Sequence, residues 1–132
     1  MKVVDHIGVA VRSIAERAAL YRILGLEVGA EEEVASEKVR VAFLPAEGTR
    51  VELLEPTAPD SPIASFLAKR GEGIHHLCFR VEDIRATMAE LKERGFRLLS
   101  EEPRTGAEGS LVCFVHPASA GGVLVELSQH GG

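Results

Sequence analysis

The sequence predicts an α+β fold made of one βαβββ module written twice, and three observations carry that reading. The first is a repeat. Val4-Asp5-His6-Ile7-Gly8-Val9-Ala10-Val11 returns seventy residues later as Ile74-His75-His76-Leu77-Cys78-Phe79-Arg80-Val81, and at that offset Ile14 falls on Ile84 and Gly25 on Gly95. The second is that apolar residues alternate in phase in both copies, the period of a strand buried on at least one side. The third is that a helix-start signal follows each alternating run and a glycine follows each helix. A repeat of this length denotes two copies of one supersecondary unit around a shared core. The chain then divides into module one (1–56), a linker helix (57–72) and module two (73–132), together a single domain.

In module one, residues 3–11 form a strand with Val3, Ile7, Val9 and Val11 among its apolar positions and His6, Gly8 and Ala10 on the other face. Ser13-Ile14-Ala15-Glu16 reads as a capping box. The helix it opens carries the stripe Ile14, Ala18, Tyr21 and Leu24, and Gly25 supplies a left-handed stop. The acidic run Glu31-Glu32-Glu33 and the segment to Lys38 read as an exposed strand end and turn. A strand over 39–44 is broken by Pro45, Gly48 turns the chain, and a strand over 50–54 holds Glu52 between Val51 and Leu53. In the linker, Ser61 caps a short helix with Pro62 at its first position and Gly71 past its end.

Module two repeats the order. A strand over 74–81 leads to a helix over 83–94 with Asp83 as cap, the stripe Ile84, Met88 and Leu91, and a stop at Gly95. Strands over 96–99, 111–115 and 123–127 follow, the last containing Glu126. The loop Thr105 to Ser110 and the turn from His116-Pro117 to Gly121-Gly122 separate them. Once a four-residue insertion is allowed, Arg50-Val51-Glu52-Leu53 answers Leu124-Val125-Glu126-Leu127.

Composition excludes several classes. At 132 residues and 45% hydrophobic content the chain makes one domain that folds without staples. Cys78 and Cys113 sit in apolar runs and read as reduced core or pocket-lining thiols. A net charge of −5 leaves no general basic field, so nucleic acid is not an expected partner. The first apolar run is broken by Asp5 and His6 and is too short for a signal peptide or a membrane span, so a cytoplasmic protein with no membrane partner is expected.

The chemistry lies in the repeated polar residues. Each module places one histidine on its first strand and one glutamate on its last, giving His6, Glu52, His76 and Glu126. Taken singly, a strand histidine is more often a satisfied core or surface residue, and a strand glutamate more often faces solvent. Recurrence at matched positions, with both glutamates inside apolar strands where an unpaired charge is costly, favours ligation instead. Two imidazoles and two carboxylates suit Zn²⁺, Co²⁺, Ni²⁺ or Mn²⁺ with coordination positions left open. His75 points to the other face and reads as a packing residue or one hydrogen-bonded to a metal ligand; His116 is structural or at the pocket rim; His130 lies in solvent.

These segments carry a resemblance. The duplicated His/Glu pattern resembles the vicinal oxygen chelate superfamily. The finer wording of Val51-Glu52-Leu53-Leu54-Glu55-Pro56, Asp60-Ser61-Pro62-Ile63-Ala64-Ser65-Phe66-Leu67 and Gly121-Gly122-Val123-Leu124-Val125-Glu126-Leu127 is similar to the methylmalonyl-CoA epimerases within it. The resemblance covers nearly the whole chain. It implies modules related by pseudo-twofold symmetry in a concave, partly closed mixed sheet with helices outside. It also implies one divalent metal ion per chain on His6, Glu52, His76 and Glu126, with Co²⁺ ahead of Mn²⁺, Ni²⁺ or Zn²⁺. The implied reaction interconverts (R)- and (S)-methylmalonyl-CoA by 1,1-proton transfer through a metal-stabilised enolate, with Glu126 and Glu37 as the two catalytic carboxylates. The acyl-CoA phosphates need cations, for which Lys38, Arg40, Lys69 and Arg104 are the candidates, and a homodimer is expected by analogy. Two rivals stand beside this reading: a glyoxalase I-type lactoylglutathione lyase, and a metal-free small-molecule-binding protein of the same fold.

Overall fold

The computed structural model describes residues 3–131, and the chain falls into two units. One holds His6–His75; the other takes the residues up to Asp5 and those from His76 onward. The elements of the first half are β1 (Val3–Ala10), α1 (Ile14–Ile23), β2 (Glu31–Val34), β3 (Val39–Ala46), β4 (Thr49–Pro56) and α2 (Pro62–Arg70). Its strands lie in the order β2-β3-β4-β1, with two antiparallel hairpin pairings and β1 parallel to β4. The second half holds β5 (Gly73–Arg80), α3 (Ile84–Glu93), β6 (Arg104–Thr105), β7 (Leu111–Val115) and β8 (Val125–Gln129). Its order is β5-β8-β7-β6, with β5 parallel to β8. The fold is thus α+β with two βαβββ modules.

The period of two along each strand decides what each face does. In the first unit Ala42, Leu44 and Leu53 bury against Ile14 and Ala18 of α1. Their neighbours Val39, Val41, Leu54 and Ala10 face the other way and pack on Ile63 and Leu67 of α2. Glu52 and His6 belong to this second face, being two residues from Leu54 and four from Ala10. In the second unit Cys113 and Leu127 pack on Ile84 and Met88 of α3, leaving Phe114 and Glu126 to the opposite face.

The helix ends follow their caps. Ser13, Ser61 and Asp83 accept hydrogen bonds from the N–H groups of Glu16, Ile63 and Ala86. One device recurs that the sequence did not announce. The first helical N–H of α1, on Ile14, donates to Glu55 at the end of β4, and that of α3, on Ile84, donates to Gln129 at the end of β8, each at 2.8 Å. Gly25 and Gly95 follow their helices at φ 95° and 89°, where a side chain would be strained.

Four boundaries differ from expectation. Helix α1 stops at Ile23, so Leu24 caps it and is 64% exposed rather than in the stripe. Strand β3 runs through Pro45 to Ala46. Because β2 pairs with β3 only as far as Ala42, one side of β3 is a free edge at Pro45, where a missing N–H breaks no ladder. Residues 96–99 give only the bridge Leu98–Val115, and the outer strand of module two is instead the short β6, after Pro103. Finally, β8 begins at Val125, since Gly121 and Gly122 both have positive φ and the chain is still turning there. Among the described residues no helix is long and apolar enough to cross a membrane.

Candidate metal centre

Parallel pairing sets the first His–Glu pair. In the β1/β4 register Gly8 faces Glu52, and His6, two residues earlier, shares that face. His6 Nδ1 lies 3.3 Å from Glu52 Oε2, and the two residues are only 6% and 4% exposed. Phe43 faces Glu52 from β3. Arg50, two residues before Glu52, donates from Nε to Glu52 Oε2 at 2.8 Å while its guanidinium lies 4.7 Å from the centre of the Phe43 ring.

The second His–Glu pair is built the same way. Cys78 faces Glu126 across β5 and β8, and His76 stands two residues before Cys78. His76 Nε2 lies 3.0 Å from Glu126 Oε1, with both residues buried. Phe114 faces Glu126 from β7 and meets the His76 ring edge-on at 6.0 Å between centroids. The repeat therefore extends from sequence to geometry: histidine, glutamate and phenylalanine recur at equivalent register positions. Positions beside these pairs differ between the modules. Gly8 answers Cys78, and Arg50 answers Leu124.

A buried carboxylate is stable only with partners, and each of these has a histidine against it. The donor sets fit a divalent cation. Neighbouring ligands bound at about 2.1 Å lie roughly 3.0–3.4 Å apart, and both His–Glu spacings already have that value. Imidazole nitrogen with carboxylate oxygen is also the donor chemistry that a borderline cation takes.

The other expected residues are placed as follows. Glu37 sits on the 3₁₀ turn Ala35–Glu37, half-buried, and its carbonyl accepts from the Ser61 hydroxyl at 3.5 Å. That turn lies beyond the Val39–Pro56 pair, which is itself four register steps from Phe43–Glu52. Lys38 pairs with Asp60, and Arg40 is held among Glu31, Glu33 and Glu55, so neither is a loose cation; Lys69 and Arg104 are exposed. His75 packs edge-on against Phe66 at 5.0 Å, and His116 Nδ1 accepts from the Ala118 N–H inside its turn, both as expected. Cys78 and Cys113 are buried thiols not joined in a disulfide, and burial pushes the Cys113 thiol up.

His130 is a correction. It is not in solvent: its side chain is 28% exposed and Nε2 lies 2.9 Å from Asp5 Oδ1. Asp5 is the reason, being a carboxylate only 2% exposed that accepts two hydrogen bonds from the Arg80 guanidinium and lies against the imidazole. Sequence reasoning passed over Asp5, Arg50 and the two phenylalanines. For Arg50 a signal existed, since position i−2 in a strand shares the face of Glu52; the phenylalanines needed the register.

Comparison with known proteins places the chain. Residues 5–114 match the profile of the Glyoxalase/Bleomycin resistance protein/Dioxygenase superfamily. The chain belongs to this superfamily. Within it, the chain is 47% identical over 128 residues to the ethylmalonyl-CoA/methylmalonyl-CoA epimerase of Cereibacter sphaeroides, covering 95% of this chain and 96% of that protein. It is 44% identical over 127 residues to the mitochondrial methylmalonyl-CoA epimerase of Bos taurus, covering 95% of this chain and 73% of that one. The solved structure of a variant of the Streptomyces coelicolor methylmalonyl-CoA epimerase, in complex with 2-nitronate-propionyl-CoA, superimposes with a TM-score of 0.92 at 38% identity, covering 98% of each chain. Membership of the superfamily accounts for the two βαβββ modules.

Proposed function

We propose that the chain is a metal-dependent epimerase that interconverts (R)- and (S)-methylmalonyl-CoA. The observation that carries this is the buried His–Glu pair repeated at equivalent register positions in a chain 47% identical, over nearly its full length, to such an epimerase. His6, Glu52, His76 and Glu126 would hold one divalent cation, Co²⁺ first and Mn²⁺, Ni²⁺ or Zn²⁺ after it. Bound there, the cation supplies Lewis-acid stabilisation of the negative charge that builds on the substrate oxygens as a proton leaves the carbon between them.

The chain's own residues do the rest. Gly8 and Ala10 share the face of His6 and take up little room beside it. Inversion at carbon needs a proton-handling group on each face, one deprotonated and one protonated at the start. Glu126 takes one face and Glu37 the other in this scheme. The relative from Cereibacter sphaeroides carries both ethylmalonyl-CoA and methylmalonyl-CoA in its name, and one methylene in an apolar pocket discriminates only weakly, by about 1–3 kcal/mol. Activity on the ethyl homologue is therefore part of the proposal. So is assembly as a homodimer, for which sedimentation equilibrium should return about twice the chain mass of 14.2 kDa.

The test is deuterium uptake by methylmalonyl-CoA in D₂O, with cobalt-loaded wild type, His76→Ala and Glu37→Gln. The wild type should exchange the proton and interconvert the epimers, and His76→Ala should do neither. Glu37→Gln should lose about 10²-fold or more in turnover, the range for a lost general acid or base. Full turnover by Glu37→Gln removes that residue from the chemistry. No uptake by the wild type with any of the four metals sinks the epimerase reading, and the glutathione hemithioacetal becomes the substrate to try.

A further inference from the structure

The two His–Glu pairs are alike in histidine, glutamate and phenylalanine but differ in the residue two places before the glutamate. In module one, Arg50 binds Glu52 Oε2 at 2.8 Å, on the oxygen that also faces His6 Nδ1, and the Arg50 side chain is only 20% exposed. Its guanidinium is braced on Phe43, the register partner of Glu52. In module two the equivalent strand position is Leu124, which has no charge, and the equivalent ring, Phe114, meets His76 instead.

We propose that Arg50 is a charge-compensating and positioning residue for the metal centre. It offsets one of the two carboxylates, so that the cation keeps more of its positive charge, and it fixes the Glu52 carboxylate by one oxygen. This rests on the reading of His6, Glu52, His76 and Glu126 as ligands. Two ionised carboxylates in a buried site bind a divalent cation tightly but cancel its charge, and with it the stabilisation offered to an oxyanion. A fixed cation against one of them trades affinity for electrophilic strength. Mere structural support predicts the reverse, since loosening Glu52 weakens binding.

The experiment measures Mn²⁺ affinity by calorimetry on metal-stripped wild type, Arg50→Leu, Arg50→Lys and Arg50→Gln, with circular dichroism to confirm folding and kcat at saturating metal alongside. Arg50→Leu, which installs the module-two residue, should bind Mn²⁺ about tenfold more tightly while kcat falls. Arg50→Lys keeps the charge and should stay within about threefold of the wild type in affinity. Arg50→Gln carries the same expectation as leucine, and decides the matter where the leucine variant does not fold. Unchanged or weaker binding by the neutral variants, with normal binding by the wild type, overturns the role of Arg50 alone. A wild type that binds no Mn²⁺ overturns the ligand assignment and this inference with it.

Discussion

Glu72 shows how much one carboxylate can tie together at the residue scale. It accepts from the Arg12 N–H at 2.9 Å and from Arg17 through Nε and Nη2, joining the segment after α2 to the start of α1. The Arg17 side chain first, and then the Arg12 N–H, hold its carboxyl down at about 2. A carboxylate whose pKa is lowered on folding contributes stability above its unfolded value and loses it as pH falls through the folded one. Glu72→Gln should therefore lower the urea midpoint by a constant amount above about pH 4.5, and the gap should close as pH falls to about 2. Because Arg17 is 54% exposed, the gap should also shrink in high salt. A gap that persists unchanged at pH 2 would assign the effect to packing instead. At this scale the sequence was legible where residues repeat. His6 and His76, and Glu52 and Glu126, announce themselves by recurring, whereas Arg50 and Asp5 act through partners on other strands. Asp5 meets Arg80, seventy-five residues away, and nothing local marks that encounter.

Elements were legible wherever a cap wrote their ends. Ser61 and Gly71 bracket α2 as expected, and Ser61 is fully buried, accepting from the Ile63 N–H at 3.1 Å while its hydroxyl reaches the Glu37 carbonyl. Ser61→Ala should cost about 1 kcal/mol of stability, read from the urea midpoint, with α2 fraying first in hydrogen exchange. A loss below about 0.3 kcal/mol would show that the linker packing, not the cap, holds the helix. Strand ends were less legible because the neighbouring strand sets them. Pro45 looks like a break until the free edge beside it is known, and residues 96–99 look like a strand until Val115 is seen to be their single bridge partner. The acidic run Glu31–Glu33 is a real edge strand, kept in register by Arg40 facing Glu33. Its charges also discourage pairing with another chain.

For the whole molecule, duplication made the architecture readable. Both halves have the same strand order, the same parallel pairing of first and last strands, and the same His–Glu contact, all following from one pattern written twice. What the pattern did not contain is the way each half checks itself. Glu52 and Glu55 lie on β4, and Glu126 and Gln129 on β8, three residues apart in both cases. One member of each pair meets the histidine on one face, and the other receives the first N–H of the module's helix from the opposite face. A slip of one residue in the last strand would lose both contacts at once. The closing strand thus proofreads its module: only the threading that puts a carboxylate beside the imidazole also secures the helix, and misthreaded chains forfeit stability and metal site together.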